Sequence, residues 1–215
     1  MIIVHHLLHS RSTRILWLLE EMGVPYDMVT YPRDPKTMRA GPELRRIHPL
    51  GKAPVIEDDG RVIGESGAIL EYLIETYGDG RFAPAPGSAD RAAYLEWMHF
   101  AESSAMLGVI FRMIAGRGAL PPAATAYADE SIALAMAAIE QALQTRDFLV
   151  GGDLTGADIQ VQYVTETAAA LGLIGDRPAI RAWHDRLTAR PAYLRALEKG
   201  GPVMLPVLRP PNQEG

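Results

Sequence analysis

Lys52-Ala53-Pro54-Val55-Ile56, a polar turn at Asp58-Asp59-Gly60, then Arg61-Val62-Ile63 and Glu65-Ser66-Gly67-Ala68-Ile69 make up the stretch on which the fold turns. Val55 and Ile56 are β-branched and bounded by turn formers, so they predict a short strand, and Arg61-Val62-Ile63 after the Asp-Gly turn predicts its hairpin partner. Pro54 has no N–H, which suits the first residue of a strand, and a tight X-Pro entrance is where a cis peptide persists. Such a bond leaves the backbone of Ala53 facing outward, where an extended peptide can add as one more strand. Ser66 precedes Ala68-Ile69-Leu70-Glu71-Tyr72-Leu73, an apolar run whose spacing predicts a helix with Ser66 as its cap. A helix start offers unsatisfied N–H groups and partial positive charge to a carboxylate. Glu65 beside it suits an ammonium group, so the pair fits the two charged groups of an amino-acid terminus.

Upstream, Ile2-Ile3-Val4-His5-His6-Leu7 predicts a strand, and Ile15-Leu16-Trp17-Leu18-Leu19 begins a helix that stops at Gly23 with Pro25 beyond it. Between them, Leu8-His9-Ser10-Arg11-Ser12-Thr13-Arg14 is a strand-to-helix loop rich in hydroxyls, a place where an anion can rest. The segment from Val24 to Tyr31 alternates like a second strand. Pro42-Glu43-Leu44-Arg45-Arg46-Ile47 predicts a short helix with proline in its first turn and Pro49 past its end. The order β-α-β-α-β-β-α is that of a thioredoxin-like domain, here without a cysteine.

Composition sets the outer bounds. With 215 residues, 48% hydrophobic and 22% charged, the chain predicts an ordinary soluble globular protein of one large or two small domains. The net charge of −5 and the lack of a basic cluster argue against a nucleic-acid partner. No leader pattern stands at the N-terminus and no apolar window approaches the ~18 residues that a membrane span needs, so no membrane association is expected and the expected compartment is the cytoplasm. Zero Cys removes disulfides, thiolate metal sites and a cysteine nucleophile, so any thiol chemistry must use a thiol that a ligand brings. His5, His6 and His9 cluster, yet neighbouring strand side chains point to opposite faces, and no metal site is expected.

A Pro- and Gly-rich stretch at 81–88 predicts a linker between a domain at 1–80 and a helical one at 89–215. Tyr94, Trp97, Met98, Ala101, Ala105 and Met106 follow the spacing of one apolar helix face. Further helices are expected from about Ala123 to Leu143 and over 156–171, 178–189 and 191–198. In Asp153-Leu154-Thr155-Gly156-Ala157-Asp158-Ile159, Thr155 and Asp158 fit a capping box and Leu154 with Ile159 a hydrophobic staple, a folding role rather than a chemical one. The tail from Gly201 to Gly215, with four prolines, predicts irregular structure.

Residues 1 to about 80 resemble the N-terminal domain of cytosolic-type glutathione transferases, in particular a fungal and bacterial branch. The resemblance is carried by Ser10-Arg11, Leu16-Trp17-Leu18-Leu19-Glu20, Pro42-Glu43-Leu44, His48-Pro49-Leu50-Gly51-Lys52-Ala53-Pro54 and Glu65-Ser66-Gly67, in the right order and spacing. It implies an α/β thioredoxin-like N-terminal domain plus an all-α C-terminal domain. It also implies glutathione as co-substrate without a prosthetic group, a small hydrophobic electrophile as second substrate, a role in detoxification, and a homodimer. A glutathione-dependent disulfide reductase or peroxidase, or a non-enzymatic glutathione-binding or regulatory protein, would share the same cradle.

Residue by residue, the resemblance puts the Ser10 hydroxyl on the glutathione thiolate, with Ser12 and Thr13 as competing hydroxyls and Ser12 standing where many relatives carry proline. It puts the Ala53 backbone, before Pro54, on the cysteinyl part, Lys52 and Arg39 near the glycine carboxylate, and Glu65 with Ser66 on the γ-glutamyl end. Met106, Phe111 and Met113 fall where the family's first long C-terminal helix faces the electrophile.

Overall fold

The computed structural model describes residues 1–116, 118 and 120–203. They form two compact units, residues 1–81 with 188–203 and residues 82–187. In the first unit the strands β1 (Ile2–Leu7), β2 (Tyr26–Tyr31), β3 (Val55–Asp58) and β4 (Arg61–Gly64) lie in the order β2-β1-β3-β4. β1 and β2 run parallel, with His6 opposite Thr30, while β3 is antiparallel to both β1 and β4. A parallel pair needs a crossover, and α1 (Ser12–Met22) supplies it, ending at Gly23 with φ of 69°. The β3–β4 turn has positive φ at both Asp59 and Gly60 (48° and 74°), as a two-residue hairpin of the expected hand requires. α2 (Pro42–Ile47) and α3 (Ser66–Tyr77) complete the order expected from the sequence.

Three local features differ from that expectation. α1 begins at Ser12, not Ile15, because its polar first turn is buried: Ser12, Thr13 and Arg14 are at most 3% exposed. Ser66 is the first helical residue of α3 rather than its cap; Glu65 holds the cap position, and its φ of 66° lies in the left-handed region.

The third difference concerns the last helix, which sequence spacing groups with the helical domain. α9 (Pro191–Gly200) packs along α1 in the first unit. Trp17 meets Tyr193 edge-to-face at 5.1 Å, and both rings are buried. Beside them Arg190 pairs with Glu21 at 2.5 Å, and Glu20 accepts from Arg195 at 2.8 Å, from Tyr26 at 2.9 Å and from Lys199. A buried aromatic pair framed by charge-assisted bonds fixes the helix in both position and rotation.

The second unit contains α4 (Arg91–Phe100), a π-helical turn at Ala101–Ala105, α5 (Met106–Ala115), α6 (Pro122–Leu143), α7 (Gly156–Ala170) and α8 (Pro178–Thr188). The π turn wedges into what the spacing predicts as one continuous helix. α7 is buried over most of its length, so its polar start needs internal partners. Asp158 provides them: it accepts from the backbone N–H of Leu149 and Thr155, from the Thr155 hydroxyl and from Trp183 Nε1, all at 2.9–3.1 Å. The capping box is therefore present, and it also ties α8 and the 149 turn to α7. Residues 204–215 of the tail lie outside the described residues.

Candidate functional site

The loop that leaves β1 is held from two sides. Arg33 donates to the carbonyls of Leu8 at 2.9 Å, His9 at 2.6 Å and Met38 at 2.5 Å, and His9 Nδ1 meets the Pro202 carbonyl at 2.9 Å. His9 itself sits at φ of 56°, so a braced and strained backbone delivers Ser10.

Ser10 is 6% exposed and its hydroxyl lies 2.6 Å from that of Ser12. The Ser12 N–H also donates to Ser10 Oγ at 3.2 Å. Ser12 Oγ lies 2.8 Å from His6 Nδ1, and His6 Nε2 lies 2.8 Å from the carbonyl oxygen of Gly200 at the end of α9. Burial holds the His6 imidazole below its ordinary pKa, against the raising effect of the Gly200 carbonyl. His5 points the other way, to Tyr31 and Glu57, both at 2.8 Å, as alternation along a strand requires.

The second part of the site is the start of α3. The first intrahelical bond runs from the Ile69 N–H to the Glu65 carbonyl at 2.9 Å, which leaves the earlier N–H groups pointing out of the helix end. Beneath them Arg14 Nη1 donates to Ser66 Oγ at 3.0 Å, and both side chains are buried, 1% and 4% exposed. The guanidinium and the helix terminus thus place two positive contributions at one spot, suited to a carboxylate. Glu65 is exposed there, and its left-handed backbone is a strain of the kind that clusters at ligand clamps.

The third part is the entrance to β3. The Ala53–Pro54 bond is cis, as the strand entrance suggested, and Ala53 lies two residues before the first residue of the β3 ladder. Lys52 and Arg39 are both exposed and their side chains make no hydrogen bond or ion pair among the described residues. Sequence reading missed Arg14, His6 and Arg33. An arginine just ahead of an apolar helical run and a histidine in a strand were the available signals, but their partners lie 52 and 194 residues away.

In the second unit, Met106 is 2% exposed and belongs to the helical core, whereas Phe111 and Met113 are half-buried. Met106 and Met113 share a face of α5, and Phe111 lies about 140° round the helix from Met106 at 3.6 residues per turn. The three do not form one lining.

A sheet of this order, a cis proline entering its third strand and a helix start backed by a buried arginine define a domain of thioredoxin type. Comparison with known proteins agrees over both units. The chain matches the glutathione S-transferase N-terminal domain over residues 10–76 and the glutathione S-transferase C-terminal domain over residues 109–191. It is 34% identical to glutathione S-transferase 3 of Schizosaccharomyces pombe, across 93% of this chain and 88% of that protein. It is 29% identical to glutathione S-transferase 1 of Saccharomyces cerevisiae, across 91% of this chain and 94% of that one. A crystal structure of a glutathione S-transferase from Actinobacillus pleuropneumoniae superposes with a TM-score of 0.87 at 32% identity, covering 97% of this chain and 99% of its own. A sphingomonad glutathione S-transferase complexed with glutathione gives 0.75 at 26% identity, covering 93% and 98%.

The chain belongs to the glutathione S-transferase family and has its fold. It is a glutathione transferase, an enzyme whose family uses glutathione as a substrate. Among the described residues no helix is long and apolar enough to cross a membrane.

Proposed function

We propose that this transferase holds glutathione on the first unit, turns its thiol into a thiolate beside Ser10, and adds it to a small hydrophobic electrophile carried by the helical unit. The observation that carries the reading is the buried Arg14–Ser66 pair at the start of α3, which gives an amino-acid carboxylate a fixed partner. Glu65 takes the α-ammonium of the γ-glutamyl end, the Ala53 backbone pairs with the cysteinyl part as an added strand, and Lys52 with Arg39 serves the glycine carboxylate. A free thiol titrates near pH ~8.5, so a hydroxyl that donates to the sulfur raises the nucleophilic fraction at neutral pH. The thiol proton goes to solvent, the thiolate sulfur bonds to the electrophilic carbon, and a leaving group, where there is one, departs with its electron pair. A cytoplasmic homodimer and a role in detoxification belong to the same proposal.

The test is calorimetric titration of glutathione together with an ultraviolet scan of the thiolate band across pH. Saturable binding with the bound thiol titrating below free glutathione is expected, followed by turnover of an aryl halide or epoxide. No binding would overturn the reading. Binding with turnover of disulfides or hydroperoxides only would replace the electrophile with those acceptors.

A further inference from the structure

We propose that His6 is a positioning residue: it locks the Ser12 hydroxyl in a one-way chain of hydrogen bonds that ends on Gly200, and so leaves the Ser10 hydroxyl as the one free to turn to the glutathione sulfur. This rests on the thiol-activating function proposed above and assigns roles within it.

The direction of the chain follows from the acceptors at its far end. The Gly200 carbonyl can only accept, so the His6 nitrogen 2.8 Å from it, Nε2, carries a proton. His6 is fully buried and burial disfavours its charged form. The ring is therefore neutral, and Nδ1 is a bare lone pair. Ser12 Oγ lies 2.8 Å from that lone pair and has a single proton to give. The competing acceptor, the Leu7 carbonyl, is at 3.4 Å, beyond good hydrogen-bond length. With its proton committed to His6, Ser12 Oγ offers Ser10 only lone pairs, so across the 2.6 Å contact it is Ser10 that donates.

The two serines are thus unequal. If Ser12 turned its proton to a ligand, it would strand the buried Nδ1 of His6. If Ser10 turns, it gives up one bond to Ser12 and exchanges it for the sulfur, while Ser12 N–H continues to donate to Ser10 Oγ and makes that hydroxyl a better donor. The anchor of the chain is itself fixed, because α9 is clamped to α1 by Arg190, Arg195, Lys199 and Tyr193.

The test is a set of mutant cycles in the full chain, read as the pKa of the bound glutathione thiol from its thiolate absorbance, with the dissociation constant measured in parallel. Ser10→Ala is expected to raise that pKa by about one pH unit, a tenfold loss of thiolate below it, and Ser12→Ala to raise it by much less. His6→Gln keeps a donor for Gly200 and removes the acceptor for Ser12, whereas His6→Asn keeps an acceptor near Nδ1. In the His6→Gln background the freed Ser12 hydroxyl takes over part of the work, so adding Ser10→Ala should shift the pKa at least threefold less than it does alone. In the His6→Asn background the full effect should return. Equal shifts from Ser10→Ala and Ser12→Ala, or additive effects of His6→Gln and Ser10→Ala, overturn the assignment. A wild-type protein that binds glutathione without lowering its thiol pKa overturns thiol activation itself, and the role of the chain with it.

Discussion

Gly200 and His6 stand 194 residues apart in sequence, yet the carbonyl of the one accepts from the ring of the other at 2.8 Å. The approach is that close because residue 200 has no side chain. A Cβ there would come within 2.5 Å of Leu16 Cδ1 and 3.1 Å of His6 Cε1, in a region already filled. Gly200→Ala is expected to cost about 1–3 kcal/mol, the usual penalty for overpacking. Urea unfolding reads it as a lower midpoint at constant slope; an unmoved midpoint would mean that α9 adjusts freely.

The same histidine gives stability a pH dependence. Its folded-state pKa lies below the ordinary 6.5 because burial disfavours the imidazolium. Above pH 6.5 neither state takes up the proton and the contribution is complete. As pH falls from 6.5 towards the folded value, the unfolded chain binds the proton first, so stability decreases with falling pH. His6→Gln should flatten that part of the profile relative to wild type in chemical unfolding at a series of pH values.

Glu20 works in the same sense but in a more acidic range. Burial would raise its carboxyl, but donations from Lys199, Arg195 and Tyr26 outweigh that and hold it below the usual 4.5. Its contribution is complete above pH 4.5 and is lost as pH falls below it. Arg195 and Lys199 are half exposed, so screening limits the effect, and Glu20→Gln is expected to cost about 1 kcal/mol, less at high salt. Thermal melts at low and high ionic strength would expose a salt-independent cost as packing instead.

Ser66→Ala removes an acceptor of a buried guanidinium at the proposed carboxylate seat. Glutathione affinity should fall by about 1–3 kcal/mol, or roughly 5- to 150-fold in dissociation constant. Calorimetry on the folded variant decides; an unchanged constant places the γ-glutamyl end elsewhere.

Asp158 in the second unit is fully buried under four donors. Burial pushes its carboxyl above the usual 3.8, with the four donations opposing. Asp158→Ala strands all four, and a loss of about 3 kcal/mol or more is expected. Glutathione affinity of the variant that still folds should be retained, and a loss of binding without a loss of stability would contradict a folding role.

What the sequence made legible was what local chemistry controls. Asp59-Gly60 sets a hairpin whatever surrounds it, Pro54 marks a strand entrance, and Thr155 with Asp158 spells a capping box inside four residues. Residues whose meaning depends on a distant partner stayed silent. Arg14 reads as the last residue of a strand-to-helix loop until Ser66 is found beside it, and His6 as a strand histidine until α9 arrives. The start of α1 was hidden for the same reason: Ser12 and Thr13 are poor helix formers, and tertiary burial overrides their preference. Spacing alone also cannot see a π turn, because Glu102, Ser103 and Ser104 read equally well in an α-helix.

The return of α9 to the first unit makes the order of synthesis matter. A nascent chain exposes the sheet and α1 early, but Tyr193, which covers Trp17, leaves the ribosome only after the whole of the second unit has been made. Until then the earliest part of the protein waits with an open apolar flank, and a product cut short before residue 190 keeps it permanently. The last helix therefore acts as a completeness check, distinguishing a finished chain from a fragment by whether its oldest surface has been closed.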